Sequence, residues 1–152
     1  MTRRSAVLPL AFLIASLAFA SMAGVASASA HTNLTTSLTG AEEFPGPGDP
    51  NGKGFVSLDI YPNGTVCYTG KVQAIGRQIT DAHIHVGVAG TAGPPVVFLD
   101  PLGANVTGNM ASHCVVTDAA TAAAIIADPD GYYVNVHTTA YPGGAIRGQL
   151  GD

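Results

Sequence analysis

From Thr32 onward, glycine and proline cut this chain into pieces too short to pack as a bundle of helices. The sequence holds 19 glycines and 10 prolines. Outside one alanine-rich stretch it has almost no run of strong helix formers, which leaves short strands joined by turns. Only 11% of the residues are charged and 47% are hydrophobic, the reverse of the balance that keeps a chain disordered. The length of 152 residues suits one domain. Two of the 6 basic residues, Arg3 and Arg4, stand at the extreme N-terminus, against 10 acidic residues in all. No basic face is left to neutralise phosphates, so nucleic acid is not the expected partner.

Residues 1–30 read as a secretory signal peptide. Arg3 and Arg4 supply the positive start, Ala6 to Ala20 is apolar, and Ala28-Ser29-Ala30 has the small-x-small form that a signal peptidase accepts. The apolar run is short for a membrane anchor and ends in small residues, so no membrane association is expected after cleavage. The residues after the twin arginines lack the pattern of the folded-export route, which points to general secretion. Removing 30 of the 152 residues leaves 122, residues 31–152, and losing Arg3 and Arg4 takes the formal charge from −4 to −6. The expected product is a small, acidic, extracellular domain beginning at His31, whose amino group and ring together could chelate copper. Outside the cytoplasm an even cysteine count normally means a disulfide, and Cys67 and Cys114 are the only two cysteines. Their bridge would close a loop of roughly 48 residues, for which chain entropy gives about 4 kcal/mol.

Strands are predicted at Thr32–Leu38, Gly54–Ile60, Thr65–Val72, Ala82–Val86, Val96–Leu99, Ser112–Val116, Tyr132–Thr138 and Ala145–Leu150, from alternation and β-branched content. Asn63-Gly64 between the second and third tolerates positive φ and marks a hairpin. The one predicted helix spans Asp118 to Ala127, capped by Thr117 or Asp118 and stopped by Asp128-Pro129. Strands at this spacing, with Gly- and Pro-rich connections, predict an all-β antiparallel sandwich or Greek-key barrel, immunoglobulin-like or superoxide dismutase-like. Three matches to the glycosylation sequon, at Asn33, Asn63 and Asn105, carry no functional expectation.

The histidines carry the chemistry. Strand side chains alternate with period two, so His83 and His85 project from one face while Ala82, Ile84 and Val86 take the other. His137 and Asn135 follow the same logic against Val134 and Val136, and Arg147 does so on the last strand. If these strands are neighbours, one polar face gathers His83, His85, His137, Asp81, Asn135 and Arg147. Two readings stay open. Three neutral imidazoles suit copper or zinc, with His83 and His85 about 6–7 Å apart along the strand, and with Asp81, Asn135 and Arg147 behind them. Alternatively, the rings hydrogen-bond to Asp81, Thr138 or loop carbonyls and hold two strands in register. His113 is expected in solvent. Glu42-Glu43 reads as a solvated turn, and Gly87 to Gly93 as a flexible loop that lacks the lysine and following helix of a phosphate cradle. Without a Gly-x-Ser-x-Gly elbow around Ser37, Ser57 or Ser112, no nucleophilic enzyme is expected and no catalytic residue is assigned.

Four segments carry a family resemblance: Leu38 to Pro45, Asp81-Ala82-His83-Ile84-His85-Val86-Gly87, Tyr133 to Thr138, and Gly144-Ala145-Ile146-Arg147-Gly148-Gln149-Leu150. In this order and spacing the chain resembles the CHRD domain, named after chordin, over about Thr32 to Leu150. It departs at Glu43-Phe44-Pro45-Gly46, where Glu-Val-Pro-Pro is commoner, and at Ala145, where an acidic residue is common. The resemblance implies a secreted all-β domain, single in bacteria and repeated in chordin. It implies a non-enzymatic binding or structural module whose partner is an extracellular protein or small ligand. A separate analogy offers a copper-binding redox or metal-handling protein. Copper-zinc superoxide dismutases also place a His-x-His on a sandwich strand, with a further histidine and an arginine nearby. On that analogy His83, His85 and His137 would hold copper alone, and Arg147 would steer an anion. Mass spectrometry of the exported protein is expected to find His31 as its first residue; a first residue upstream of Ala28 would refute the cleavage site.

Overall fold

The computed structural model describes residues 30–75, 79–99 and 110–151. Apart from its last residue, the expected signal peptide lies outside the described residues, as does the sequon at Asn105. Eight strands form: β1 (Thr32–Thr39), β2 (Lys53–Ile60), β3 (Thr65–Gln73), β4 (Ile79–Val86), β5 (Pro95–Leu99), β6 (Met110–Val116), β7 (Tyr132–Thr138) and β8 (Ile146–Gln149). Among the described residues a single α-helix, α1 (Ala119–Ala127), precedes β7. Each predicted strand and the predicted helix is present, with ends moved by a few residues.

All strand pairs are antiparallel, in one sheet ordered β5-β4-β7-β8-β1-β2-β3-β6. Between β1 and β8 only Thr39 and Arg147 are in register. Val97 and Leu99 of β5, Ile84 of β4 and Val134 of β7 share one core with Val56, Leu58 and Ile60 of β2 and Val66 of β3. The result is a nearly closed barrel or sandwich, the all-β fold expected. Closure is driven by the alternation itself: on β2, Val56, Leu58 and Ile60 are fully buried while Phe55 is 49% exposed.

Local chemistry sets the ends of the elements. Gly64 takes φ +94° and donates its N–H to the Tyr61 carbonyl at 3.0 Å, turning β2 into β3. A Cβ at Gly64 would stand 2.2 Å from the Thr117 carbonyl oxygen. Asp118 caps α1, its Oδ1 accepting the Thr121 N–H at 2.9 Å. Ala122 and Ile125 then point one helical face into the core.

Cys67 of β3 and Cys114 of the edge strand β6 lie directly opposite each other and are disulfide-bonded, as expected. The bridge ties the edge strand, which among the described residues has a ladder partner on one side only, to the body of the sheet. Replacing both cysteines by alanine is expected to lower unfolding free energy by about 2–5 kcal/mol, measured by urea denaturation. An unchanged midpoint would show that β6 is held without the bridge.

Candidate functional site

Strand register, not proximity in sequence, assembles the site. Across β4 and β7, Asp81 is opposite His137, His83 opposite Asn135, and His85 opposite Tyr133. On the other flank of β7, Asn135 is opposite Arg147 and Tyr133 opposite Gln149. With Ala82, Ile84, Val134, Val136 and Ile146 in the core, the intervening side chains share the outer face. Asp81 stays exposed at its rim.

The three imidazoles converge on that face. His83 Nδ1 lies 3.3 Å from His137 Nε2, and one ring nitrogen from each of His83, His85 and His137 falls within 4.8 Å of the others. Backbone carbonyls hold two of the rings from behind. His85 Nδ1 is 2.8 Å from the Gly93 oxygen, and His137 Nδ1 is 3.0 Å from the Pro142 oxygen. A carbonyl only accepts, so each Nδ1 carries its ring's proton and each Nε2 keeps a lone pair. His137 Nε2 then accepts from the His83 Nδ1–H. His85 Nε2 is buried with no hydrogen-bond partner. The exposed Phe98 stands edge-on to His83, with ring centroids 4.9 Å apart. The carbonyl bonds of the network reading are present, and the three rings gather on one face, but to within 4.8 Å where ligation of one ion asks for roughly 4 Å.

Neither remaining histidine joins the cluster. His31 Nε2 lies 3.4 Å from Asp59 Oδ1 on the other half of the sheet. His113 is exposed, as expected, with its ring edge-on to Tyr68.

Beside the histidines the outer face is buried as well, under loops, and here several expectations are corrected. Arg147 is only 1% exposed. Its guanidinium lies 3.4 Å over the Tyr133 ring and donates to the carbonyls of Thr91 at 2.6 Å and Val88 at 3.0 Å. It has no face turned to solvent and cannot steer an anion, because burial requires its N–H groups to find protein acceptors. Those same bonds pin the Gly87–Gly93 segment, which is a fastened cover and not a loose loop. Tyr133 in turn stacks on His85, with centroids 4.8 Å apart and planes 14° from parallel.

Glu42 is exposed as expected, but Glu43 is 9% exposed and accepts from Asn135 Nδ2 at 3.2 and 3.4 Å. Gly144, at φ +136°, makes this contact possible, since a Cβ there would sit 2.4 Å from Glu43 Oε2. Sequence reasoning missed Glu43, Tyr133 and Gln149 as parts of the site. Tyr133 and Gln149 sit two residues from Asn135 and Arg147, so period two was the signal that could have found them. Glu43 arrives from the loop after β1 and gave no such signal.

A family model described as the CHRD domain matches residues 34–150, nearly the whole described chain. Neither the curated proteins nor the solved structures yield a match.

Burial pushes Glu43 up from its ordinary 4.5 to about 7, against the Asn135 bond and the Arg147 charge, which both pull it down. Burial also holds His83 and His85 below the usual histidine value. The neighbouring rings add to this at His83, and the Gly93 bond opposes it at His85. The signs differ. Glu43 binds its proton more tightly in the folded state, so its contribution to stability is whole below pH 4.5 and is lost as pH rises through about 7. The two histidines bind protons less tightly when folded. Their contribution is present above pH 6.5 and is lost as pH falls through their lowered values. Glu43→Gln, which keeps an acceptor for Asn135, is expected to leave stability at pH 5 nearly unchanged and to raise it at pH 8 by up to about 3 kcal/mol. Urea denaturation at the two pH values checks this, and a loss at pH 8 would refute it.

Proposed function

Because this chain belongs to the CHRD domain family, we propose that it is exported by its N-terminal signal peptide and acts outside the cell as a non-enzymatic binding and structural module. The disulfide fits that compartment, and no helix among the described residues is long and apolar enough to cross a membrane. Its binding site is the histidine cluster, and its ligand a divalent copper or zinc ion held by His83, His85 and His137.

One observation carries the metal. Carbonyls behind His85 and His137 fix the tautomer that leaves a lone pair on each Nε2, the usual arrangement behind metal-bound imidazole, and that of His137 faces His83. The donors fit in kind, since neutral imidazole suits copper and zinc, and burial keeps His83 and His85 neutral. They also nearly fit in distance. Two nitrogens each about 2.0–2.1 Å from one tetrahedral ion lie about 3.3 Å apart, which is the His83–His137 separation of 3.3 Å. The outer limit of 4.8 Å for the set leaves His85 to close in by about an ångström or more. To hold an ion, His83 would carry its proton on Nε2 in place of Nδ1, so that His83 Nδ1 and His137 Nε2 would both offer lone pairs.

The redox alternative gains nothing from the geometry, because the arginine it needs as an anion guide lies under the Gly87–Gly93 cover. Metal holding is the part retained. Titration of the purified protein with Cu(II) is expected to give a dissociation constant below micromolar and an electron paramagnetic resonance spectrum with hyperfine structure from three nitrogens. His85→Ala should weaken binding by about 10-fold or more. Binding no tighter than micromolar, and indifferent to His85→Ala, would end the metal reading.

A further inference from the structure

We infer that Asn135 supplies a fourth donor, its side-chain oxygen Oδ1, making a three-imidazole, one-oxygen site that selects a divalent ion. This rests on the metal reading above and specifies the ion it takes.

Register puts Asn135 at the centre of the cluster: directly opposite His83, two residues from His137 on the same strand, and diagonal to His85. Its side chain is 3% exposed. Glu43 sets which way the amide points. Nδ2 donates to both carboxyl oxygens, at least one of which accepts whether or not the group is protonated. Oδ1 is thereby turned away from Glu43, and it is buried without a hydrogen-bond partner.

Among the described residues, the only other buried side-chain polar atom in that condition is His85 Nε2. The two belong to one patch, since a side-chain hydrogen bond to Asn135 favours the protonated form of His85. With the proton of the neutral ring on Nδ1 and bonded to Gly93, the ring has no hydrogen to give Asn135, and both atoms are left without a partner. Two buried lone pairs with no donor between them are an unfavourable arrangement. A cation satisfies both without any further protein group.

The oxygen decides the class of ion. Carboxamide oxygen is a hard donor, whereas Cu(I) prefers soft thiolate and thioether ligands; three imidazoles with one oxygen suit Cu(II) and Zn(II). Such a site holds its ion in the divalent state and does not favour cycling it. Between the two divalent ions, the general order of affinity favours copper.

The test is titration of the purified protein and its variants with Cu(II) and Zn(II), with electron paramagnetic resonance and the copper reduction potential as further readouts. Asn135→Ala is expected to weaken Cu(II) binding by about 10-fold or more, to shift the copper g and hyperfine values while three nitrogens remain coupled, and to raise the reduction potential. Asn135→Asp, which keeps the oxygen and adds charge, should bind at least as tightly as the natural protein. A residue that merely supported the fold would not move the potential or the spectrum of the bound ion. If Asn135→Ala fails to fold by circular dichroism, Asn135→Asp decides: tighter binding with a lowered potential supports the inference, and unchanged values overturn it. Should Asn135→Ala bind copper like the natural protein while His85→Ala loses it, Asn135 is no ligand and the three-histidine site stands. If the natural protein binds neither ion below micromolar, both readings fall.

Discussion

A guanidinium removed from water must find an acceptor for each N–H it presents, and the outer face of this sheet is organised around that requirement. Arg147, 1% exposed, finds its acceptors in the carbonyls of Val88 and Thr91. The segment that leads from β4 toward β5 is thereby drawn over the sheet. Once there, it delivers the Gly93 carbonyl to His85. The guanidinium also covers Tyr133, and Tyr133 stacks on His85. One buried cation thus fixes a cover, an aromatic ring and the tautomer of a histidine, and the imidazole cluster depends on all three.

The sheet therefore has two buried sides of opposite character. Inside the barrel are Val, Ile and Leu, held by area removed from water. Outside, over β4, β7 and β8, lies a polar layer in which each group needs a directed partner. Gln149 shows how completely that demand shapes the loops: its Nε2 lies 2.7 Å from the Asp130 carbonyl and 2.8 Å from that of Gly87, joining the turn before β7 to the cover. A polar layer so closely satisfied makes its unsatisfied atoms informative. His85 Nε2 and Asn135 Oδ1 stand out because their neighbours are paired.

The electrostatics of the layer follow from the same burial. Low local polarity disfavours whichever form is charged, so the carboxyl of Glu43 rises while the rings of His83 and His85 fall. Near neutral pH this leaves neutral imidazoles, the form that ligates metal, beside a carboxyl close to its midpoint. Asn135 stands between them and takes its orientation from the carboxyl.

Much of this was legible in the amino-acid order. The period-two alternation around Val134 and Ile84, the Asn63-Gly64 turn and the Asp118 cap are local features, and local sterics and side-chain hydrogen bonds suffice to read them. The same alternation assigned His83 and His85 to one face, and the count of two cysteines fixed their pairing once export was assumed. Sequence could not say that β4 would lie against β7. Pairing between strands so distant in the chain is chosen by how the whole apolar set closes into one core, and only that choice brings His137 to His83. Nor could it say that Glu43 and Arg147 would be covered, since a charged residue in a loop or on the polar face of a strand looks solvated until another segment is laid over it. The sequence by itself determined the strands, the turns and which side of each strand is polar. Tertiary structure alone decided which polar groups meet and which lose their water, because both depend on contacts between segments far apart in the chain.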